Sequence, residues 1–428
     1  MVYHSRIADA LLKDRLDNYR AVLIEGPRGC GKATTASQQS NSSINLTDPD
    51  KRPDILDYAD AKNKQLLKGD TPRLLCEWQL AEGLWKNVKA SAKRRTENGN
   101  YILTESQDFD STAPELAHFD TLGRMMMMPM TLWESGESTG EISLSKLIDE
   151  PDMVIDGRQS RSSIDDVLYA ACRGGWPESI VAPAGTELQV AQKYLERVCQ
   201  EDISMPDGIK RSPSFARIVM QAYANYVGTK AQINSILDDV RDMAGYMAYI
   251  TLKLYKDALC NIFVFQEVPS WNPSVHHWTS IRHHPTRSFC DPSYIVACLG
   301  MTPKDLKKNP RIASQAFKNM CFRDLRVYAQ RYNGEVRSYA DRFGCTVDAV
   351  IVLPTGYYAL IQCATSAEEV EAGARQLDLE RKHVIKHNLR YPEQRFRMPG
   401  LMMVLTPTGT AYTREDSIRV VPLTCLRD

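Results

Sequence analysis

Ala21-Val-Leu-Ile-Glu25 runs directly into Gly26-Pro27-Arg28-Gly29-Cys30-Gly31-Lys32, and this stretch decides the fold. Its first five residues are almost wholly apolar, which predicts a short buried strand. Glycines at 26 and 31 followed by a lysine predict a loop whose backbone turns inward to hold phosphate oxygens. Lys32 would bring a point charge to the outer phosphates, and a helix over Ala33 to Gln39 would aim its positive end at the same place. The expected nucleotide-binding residues are therefore Gly26, Pro27, Arg28, Gly29, Cys30, Gly31, Lys32, Ala33 and Thr34. One position is out of pattern. The residue after the lysine normally offers a hydroxyl to magnesium, and Ala33 has none. Thr34, next along, is expected to face the α-phosphate rather than the metal.

Further apolar runs at Arg73 to Cys76 and Tyr101 to Thr104 alternate with helix-permissive segments. Strands alternating with helices predict an α/β fold, a parallel sheet with helices on both faces. Leu74-Leu-Cys76-Glu77-Trp78 is a strand ending where two acids commonly stand, one holding a hydrated metal and one positioning water. Cys76 takes the first place and Glu77 the second, so Glu77 is either a catalytic carboxylate or a plain polar strand end. Thr104 and Ser106, closing the next strand, are either sensors of a γ-phosphate or ordinary strand-end residues. Arg124 either reaches the phosphates of a neighbouring subunit in a homo-oligomer or is simply solvated. Met125 to Met128 read as core or subunit interface.

The stretch Glu134 to Ser163, rich in Ser, Gly, Asp and Glu, supplies a boundary. Apolar residues at three- and four-residue spacing predict helices from Ile164 to about Leu259, broken by the Pro-rich Val264 to Pro273. A second α/β pattern follows from about Asp291. It comprises a helix over Ala316 to Tyr332, strands over Gly334 to Tyr339, Thr346 to Leu353 and Tyr357 to Cys363, and a charged helix over Glu368 to Asn388. Short strands at Leu401 to Leu405 and Arg419 to Leu423 complete it, with Gly356 marking a tight hairpin. The predicted domains are 1–163, 164–285 and 286–428.

Lys plus Arg and Asp plus Glu both total 53 of 428 residues, so no global field favours nucleic acid, and any DNA contact must come from a local patch in the middle region. The 43% hydrophobic and 25% charged content is that of a folded globular chain. Eleven scattered cysteines without a Cys-x-x-Cys, no apolar leader and no membrane-length run make the cytoplasm the expected location and a membrane an unexpected partner. His276, His277, His283 and His284, interleaved with Trp278, Arg282 and Arg287, lack acid or Cys partners at ligand spacing and read as a modestly basic loop or strand pair, with a nucleic-acid-facing patch as the alternative. His383 and His387 read as part of a solvated basic helix face. No metal site is expected.

Several motifs together resemble a known family. Arg6-Ile-x-Asp9, Gly26-Pro-Arg-x-Cys-Gly-Lys32, Pro72-Arg-Leu-Leu-x-Glu-Trp-Gln79, Tyr101-Ile-Leu-Thr-x-Ser106 and Pro129-Met-x-Leu-x-Glu-Ser-Gly-Glu137 resemble the bacterial AAA+-type predicted ATPases fused to a C-terminal domain of unknown function. Pro269-x-Trp-Asn-Pro273, Ser280-Ile-Arg, Pro285-Thr-Arg, Asp291-Pro-Ser and Arg323-Asp-Leu-Arg-Val-Tyr-Ala329 extend the likeness over nearly the whole chain. The resemblance implies ATP or ADP binding, a helical lid or winged-helix middle, and a restriction-endonuclease-like C-terminal fold.

Departures fall where chemistry would be done. The family pattern would have Thr at Ala33, Asp at Cys76 and Gly at Glu105. A nuclease would need an acid, a strand Asp, then Glu-x-Lys. Here Glu335 and Asp348 are present, but Gln362 and Ala364 stand where Glu and Lys would be, and Lys318 replaces a helix Glu. The expected activity is nucleotide binding with weakened Mg²⁺ and feeble or absent hydrolysis, beside an inactive nuclease-like domain. The alternatives are a DNA- or partner-binding scaffold with a vestigial P-loop, and an ATPase in which Thr34 and Glu77 replace the lost metal groups.

Overall fold

The computed structural model describes residues 3–47, 65–81, 83–107, 121–273 and 284–428. They form two compact units. The first comprises Met1–Pro129 with Asp202–Lys210 and Ala258–Val264; the second comprises Met130–Glu201, Arg211–Asp257 and Phe265–Asp428.

The first unit is built on strands β1 (Ala21–Glu25), β2 (Ser42–Asn45), β3 (Arg73–Cys76), β4 (Tyr101–Glu105) and β5 (Leu122–Met126). They lie in the order β2-β3-β4-β1-β5, every neighbouring pair parallel. Alternation along β1 explains why it is buried on both sides. Val22 and Ile24 pack with Leu12 and Leu16 of helix α1 (Ile7–Asn18) and Ala36 of α2 (Lys32–Ser37). Ala21 and Leu23 face the opposite way, onto Leu84, Trp85 and Val88 of α3 (Leu84–Arg94). Each fully buried large side chain contributes about 1.5–3 kcal/mol by leaving water. The expected parallel sheet with helices on both faces is what the chain forms.

Two strands escaped sequence reasoning. Both β2 and β5 are sheet edges, β2 alternating half-buried and exposed residues and β5 buried and half-buried ones, so polar Ser42 and Asn45, and Gly123 and Arg124, break the apolar run that marks a central strand. Helix α2 stops at Ser37, short of the predicted Gln39. The Ser37 hydroxyl and the Gln38 amide both donate to the Thr34 carbonyl, drawing it out of the helical ladder.

In the second unit, a two-residue strand β6 (Ile142–Ser143) leads into α4 (Leu144–Asp149), and α5 (Ile164–Arg173), α6 (Pro177–Ile180), α7 (Gln189–Gln200), α8 (Pro213–Ala224) and α9 (Ile233–Ala244) follow. The helical stretch ends with α10 (Tyr249–Asn261), whose residues from Ala258 belong to the first unit, and residues 265–270 then form isolated bridges, Phe265 with Phe289, Val268 with Thr286 and Ser270 with Ser338. Next come α11 (Ser293–Leu299), α12 (Pro303–Lys307) and α13 (Pro310–Ala329), then β7 (Glu335–Ala340), β8 (Thr346–Val352), β9 (Tyr358–Cys363), α14 (Ala367–Arg390), β10 (Leu401–Thr406), β11 (Tyr412–Thr413) and β12 (Arg419–Pro422). The sheet order is β11-β12-β10-β9-β8-β7, antiparallel across β7, β8 and β9 and parallel from β9 through β10 to β12. The last strand, β13 (Leu426–Arg427), pairs with β6.

A charged triad sits in the core of this unit. Arg323, 1% exposed, donates to Asp291 Oδ2 at 2.9 Å and Asp324 Oδ1 at 2.8 Å. Asp291 also accepts from Gly175 N and from both the amide and hydroxyl of Ser293, and Asp324 from Leu132 N. The motifs Asp291-Pro-Ser and Arg323-Asp are thus a single hydrogen-bonded knot that joins four separate stretches of chain. Among the described residues no helix is long and apolar enough to cross a membrane. His276, His277, Trp278, Ser280, Arg282 and His283 lie outside the described residues; Lys230 Nζ donates to the His284 carbonyl.

Candidate functional site

The glycine loop sits at the carboxyl end of β1, where ligands commonly bind an open parallel sheet. Gly26, Gly29 and Gly31 have φ of 152°, 86° and 104°. A side chain at Gly26 would also stand 2.1 Å from the Met127 carbonyl oxygen, so only glycine lets the loop start this close to the segment after β5. Three further contacts hold the loop. Cys30 Sγ donates to Met127 O, while Arg6 donates to Cys30 O at 2.8 Å and Met128 O at 2.9 Å. Arg28 is drawn to Asp202 at 2.7 Å, so its guanidinium is already engaged.

Lys32 is 5% exposed and donates to Gly26 O at 2.7 Å and Pro27 O at 3.0 Å. Among the described residues no carboxylate pairs with it. A buried ammonium held by neutral carbonyls alone is an incomplete arrangement, and an anion at the loop would complete it. The donor set fits phosphate.

The set does not fit magnesium equally well. Ala33 and Thr34 are exposed, and the Thr34 carbonyl is taken up by Ser37 and Gln38. Burial pushes the Cys76 thiol up to about 11, leaving a neutral soft atom where a hard cation wants oxygen. The carboxylate of Glu77, the acid that follows Cys76, is already satisfied. It accepts from Ser106 Oγ at 2.8 Å, Ser106 N at 3.2 Å and Gln79 Nε2 at 2.8 Å, while its own amide donates to Thr104 Oγ1. Glu77 holds φ at 53°, a left-handed conformation that costs a non-glycine residue about 1–3 kcal/mol. Glu77, Thr104 and Ser106 are therefore gathered into one cluster at the ends of β3 and β4.

Arg124 is not with them. It is in register with Leu23, on the sheet face that carries α3 rather than α2, and its guanidinium stands 3.7 Å from Glu25. Met125 and Met127 are core residues of the α1–α2 face. Arg6 and Asp9, which the sequence offered only as a motif, are brought to the loop by the fold. Asp9 caps α1 by accepting from Arg6 N and also receives the Tyr3 hydroxyl, which braces the helix start beside the loop.

In the second unit Asp348 of β8 faces Lys318 of α13, Nζ to Oδ1 at 2.7 Å. Burial alone would lower the lysine, but the Asp348 charge outweighs it and holds the ammonium firmly protonated. Asp348 Oδ2 accepts from Cys363 N, and Gln362 Nε2 donates to Thr346 O at 2.5 Å. Ala364 is fully buried, while Glu335 is exposed and bound to Arg337. Asp348, Gln362 and Ala364 therefore share the β8–β9 neighbourhood, and Glu335 is engaged with its own strand.

Residues 18–135 match the family model described as AAA domain, and residues 164–305 match that described as Domain of unknown function (DUF8612). The N-terminal region is a P-loop ATPase-like domain. Among curated proteins none matches the chain. A solved structure, the Walker-type ATPase of Pyrococcus abyssi, is 13% identical and aligns at a TM-score of 0.44 over 69% of this chain and 96% of its own.

Proposed function

We propose that the chain binds ATP or ADP through Gly26 to Thr34 and hydrolyses it feebly or not at all, serving in the cytoplasm as a nucleotide-responsive module. One observation carries this reading: Lys32, buried in the glycine loop, has carbonyl partners and, among the described residues, no carboxylate. A triphosphate would supply the missing negative charge. Where magnesium would ordinarily be held, Ala33 offers nothing and Cys76 a neutral thiol, so weak metal dependence follows. The eleven free thiols suit a reducing compartment.

The same reading covers the second unit. The order α13, antiparallel β7–β8–β9, α14 and parallel β10 supports a restriction-endonuclease-like domain. The Lys318 ammonium on Asp348 supports the absence of nuclease action, since it puts a fixed cation where a metal would be needed. The helices before it, with the bridged segment after them, are compatible with the lid or winged-helix region.

Isothermal titration with ATP and ADP, with Mg²⁺ and with chelator, tests the first claim. Binding that changes little with chelator and disappears in Lys32→Ala is expected. No heat at millimolar nucleotide, or equal binding by Lys32→Ala, would refute it. Phosphate release should be equally slow in the wild type and Glu77→Gln; a clear drop in the variant would instead make Glu77 catalytic.

A further inference from the structure

His383 does not belong to a solvated basic face. It is held against the wholly buried carboxylate of Glu380, one turn earlier on α14, with Nδ1 3.3 Å from Oε2. Cys345, in the turn between β7 and β8, places its sulfur 3.8 Å from the same oxygen. All three donor atoms lie within 4.8 Å of one another. The Glu-x-x-His spacing was visible in the sequence, but its partner thiol is 35 residues distant and only the fold brings it close.

We propose that Cys345, Glu380 and His383 form a binding site for a zinc-class divalent cation, clipping the β7–β8 turn to α14. The distances match the chemistry. Zinc binds nitrogen and oxygen at about 2.0–2.1 Å and sulfur at about 2.3 Å, with tetrahedral angles. Those lengths put nitrogen and oxygen ligands roughly 3.3 Å apart and sulfur and oxygen roughly 3.5 Å apart. The observed 3.3 Å between nitrogen and oxygen meets that length, the 3.8 Å between sulfur and oxygen slightly exceeds it, and all three donor atoms lie within 4.8 Å of one another. One sulfur, one nitrogen and one oxygen donor is a set that borderline-soft zinc accepts and that calcium or magnesium does not favour.

Charge and support agree with this. Asp341, 1% exposed, accepts from the Cys345 and Phe343 amides, fixing the turn that presents the sulfur, and its charge is felt at His383. Asp341 and Glu380, both buried, act on the imidazole from one side and Lys386 opposes them, so a divalent cation would enter beside two buried carboxylates. The His383 side chain is 28% exposed, which leaves an open side for entry and for a water as fourth ligand.

The test uses the full chain, stripped with chelator and titrated with Co²⁺, then with Zn²⁺ in competition. Expected is a tetrahedral cobalt spectrum with a thiolate charge-transfer band, saturating near one equivalent and erased by Zn²⁺. Cys345→Ser should lose the band, His383→Gln should weaken binding by at least about tenfold, and Cys363→Ser should keep both. His383 is partly exposed, so its variant remains decisive should Cys345→Ser fail to fold. A featureless wild-type spectrum, or binding unchanged in His383→Gln, overturns the proposal; so does a band that survives Cys345→Ser or vanishes in Cys363→Ser.

Discussion

Replacing Arg6 should loosen the glycine loop more than replacing any residue in it other than glycine. Arg6 is 6% exposed, and its guanidinium makes charge-assisted bonds to two main-chain carbonyls, Cys30 O within the loop and Met128 O beyond β5. Bonds of that kind contribute about 1.5–3 kcal/mol each, so the pair is worth about 3–6 kcal/mol. Methionine in place of arginine keeps much of the stem packing and leaves both carbonyls short of a donor, which puts the expected loss for Arg6→Met at about 4 kcal/mol. Arg6→Lys, able to reach one carbonyl but not both, should lose roughly half of that. Hydrogen exchange of peptides spanning residues 21–36 measures this locally, and about 4 kcal/mol is roughly a thousandfold fall in protection. Nucleotide affinity should fall alongside, because the loop must then be ordered on binding. Protection within tenfold of wild type in Arg6→Met would refute the reasoning, showing that the loop keeps its shape without the clamp.

Two further outcomes concern the second unit. Lys318→Met leaves Asp348 largely buried with the Cys363 amide as its remaining donor; about 2–3 kcal/mol of stability should be lost, the usual 3–5 being discounted for partial exposure, and Lys318→Met/Asp348→Leu should recover much of it in urea unfolding. The Asp324 carboxyl is pushed up to about 6, burial outweighing Arg323, which must serve Asp291 as well. Because its folded value is raised, its contribution is present below the ordinary carboxylate range near pH 4 and is lost as pH rises through about 6. Relative to Asp324→Asn, wild type should therefore lose about 2 kcal/mol between pH 4 and 6; a constant difference would sink the assignment.

The parts of this molecule that were legible in the sequence are those whose signal is local. The run Ala21 to Lys32 carries strand, loop and charge within twelve residues, and β3, β4, β7 to β10 and α14 announce themselves by apolar runs or helical period. Edge strands β2 and β5 do not, because β2 is nowhere fully buried and β5 only at alternate positions, which tolerates Ser, Gly and Arg. At the site, Glu77, Thr104 and Ser106 could be nominated from strand ends, but their bonding to one another could not. The same holds for Arg6 at the loop and Cys345 beside Glu380. Each depends on long-range packing that no short period encodes.

Asp348 shows why the nuclease-like reading and the stability reading are not independent. A carboxylate 17% exposed between a helix and a sheet needs a positive neighbour, and in a nuclease that neighbour would be a metal ion. Here Lys318 reaches it from α13, its stem lying against Gly228, where a Cβ would stand 2.9 Å from the lysine Cδ. A cation tethered to the backbone cannot exchange with solvent, cannot coordinate a water for attack, and occupies the oxygen that a metal would use. On the proposed reading, the ion pair that satisfies Asp348 is also what keeps a metal ion from it. Restoring carboxylate character at that helix position by Lys318→Glu should leave two acids facing each other, so the variant should be unstable alone and regain stability as Mg²⁺ or Mn²⁺ is added. If divalent ions leave its unfolding unchanged, Asp348 is not the remnant of a metal site, and its pairing with Lys318 is a structural ion pair with no nuclease-like ancestry to explain.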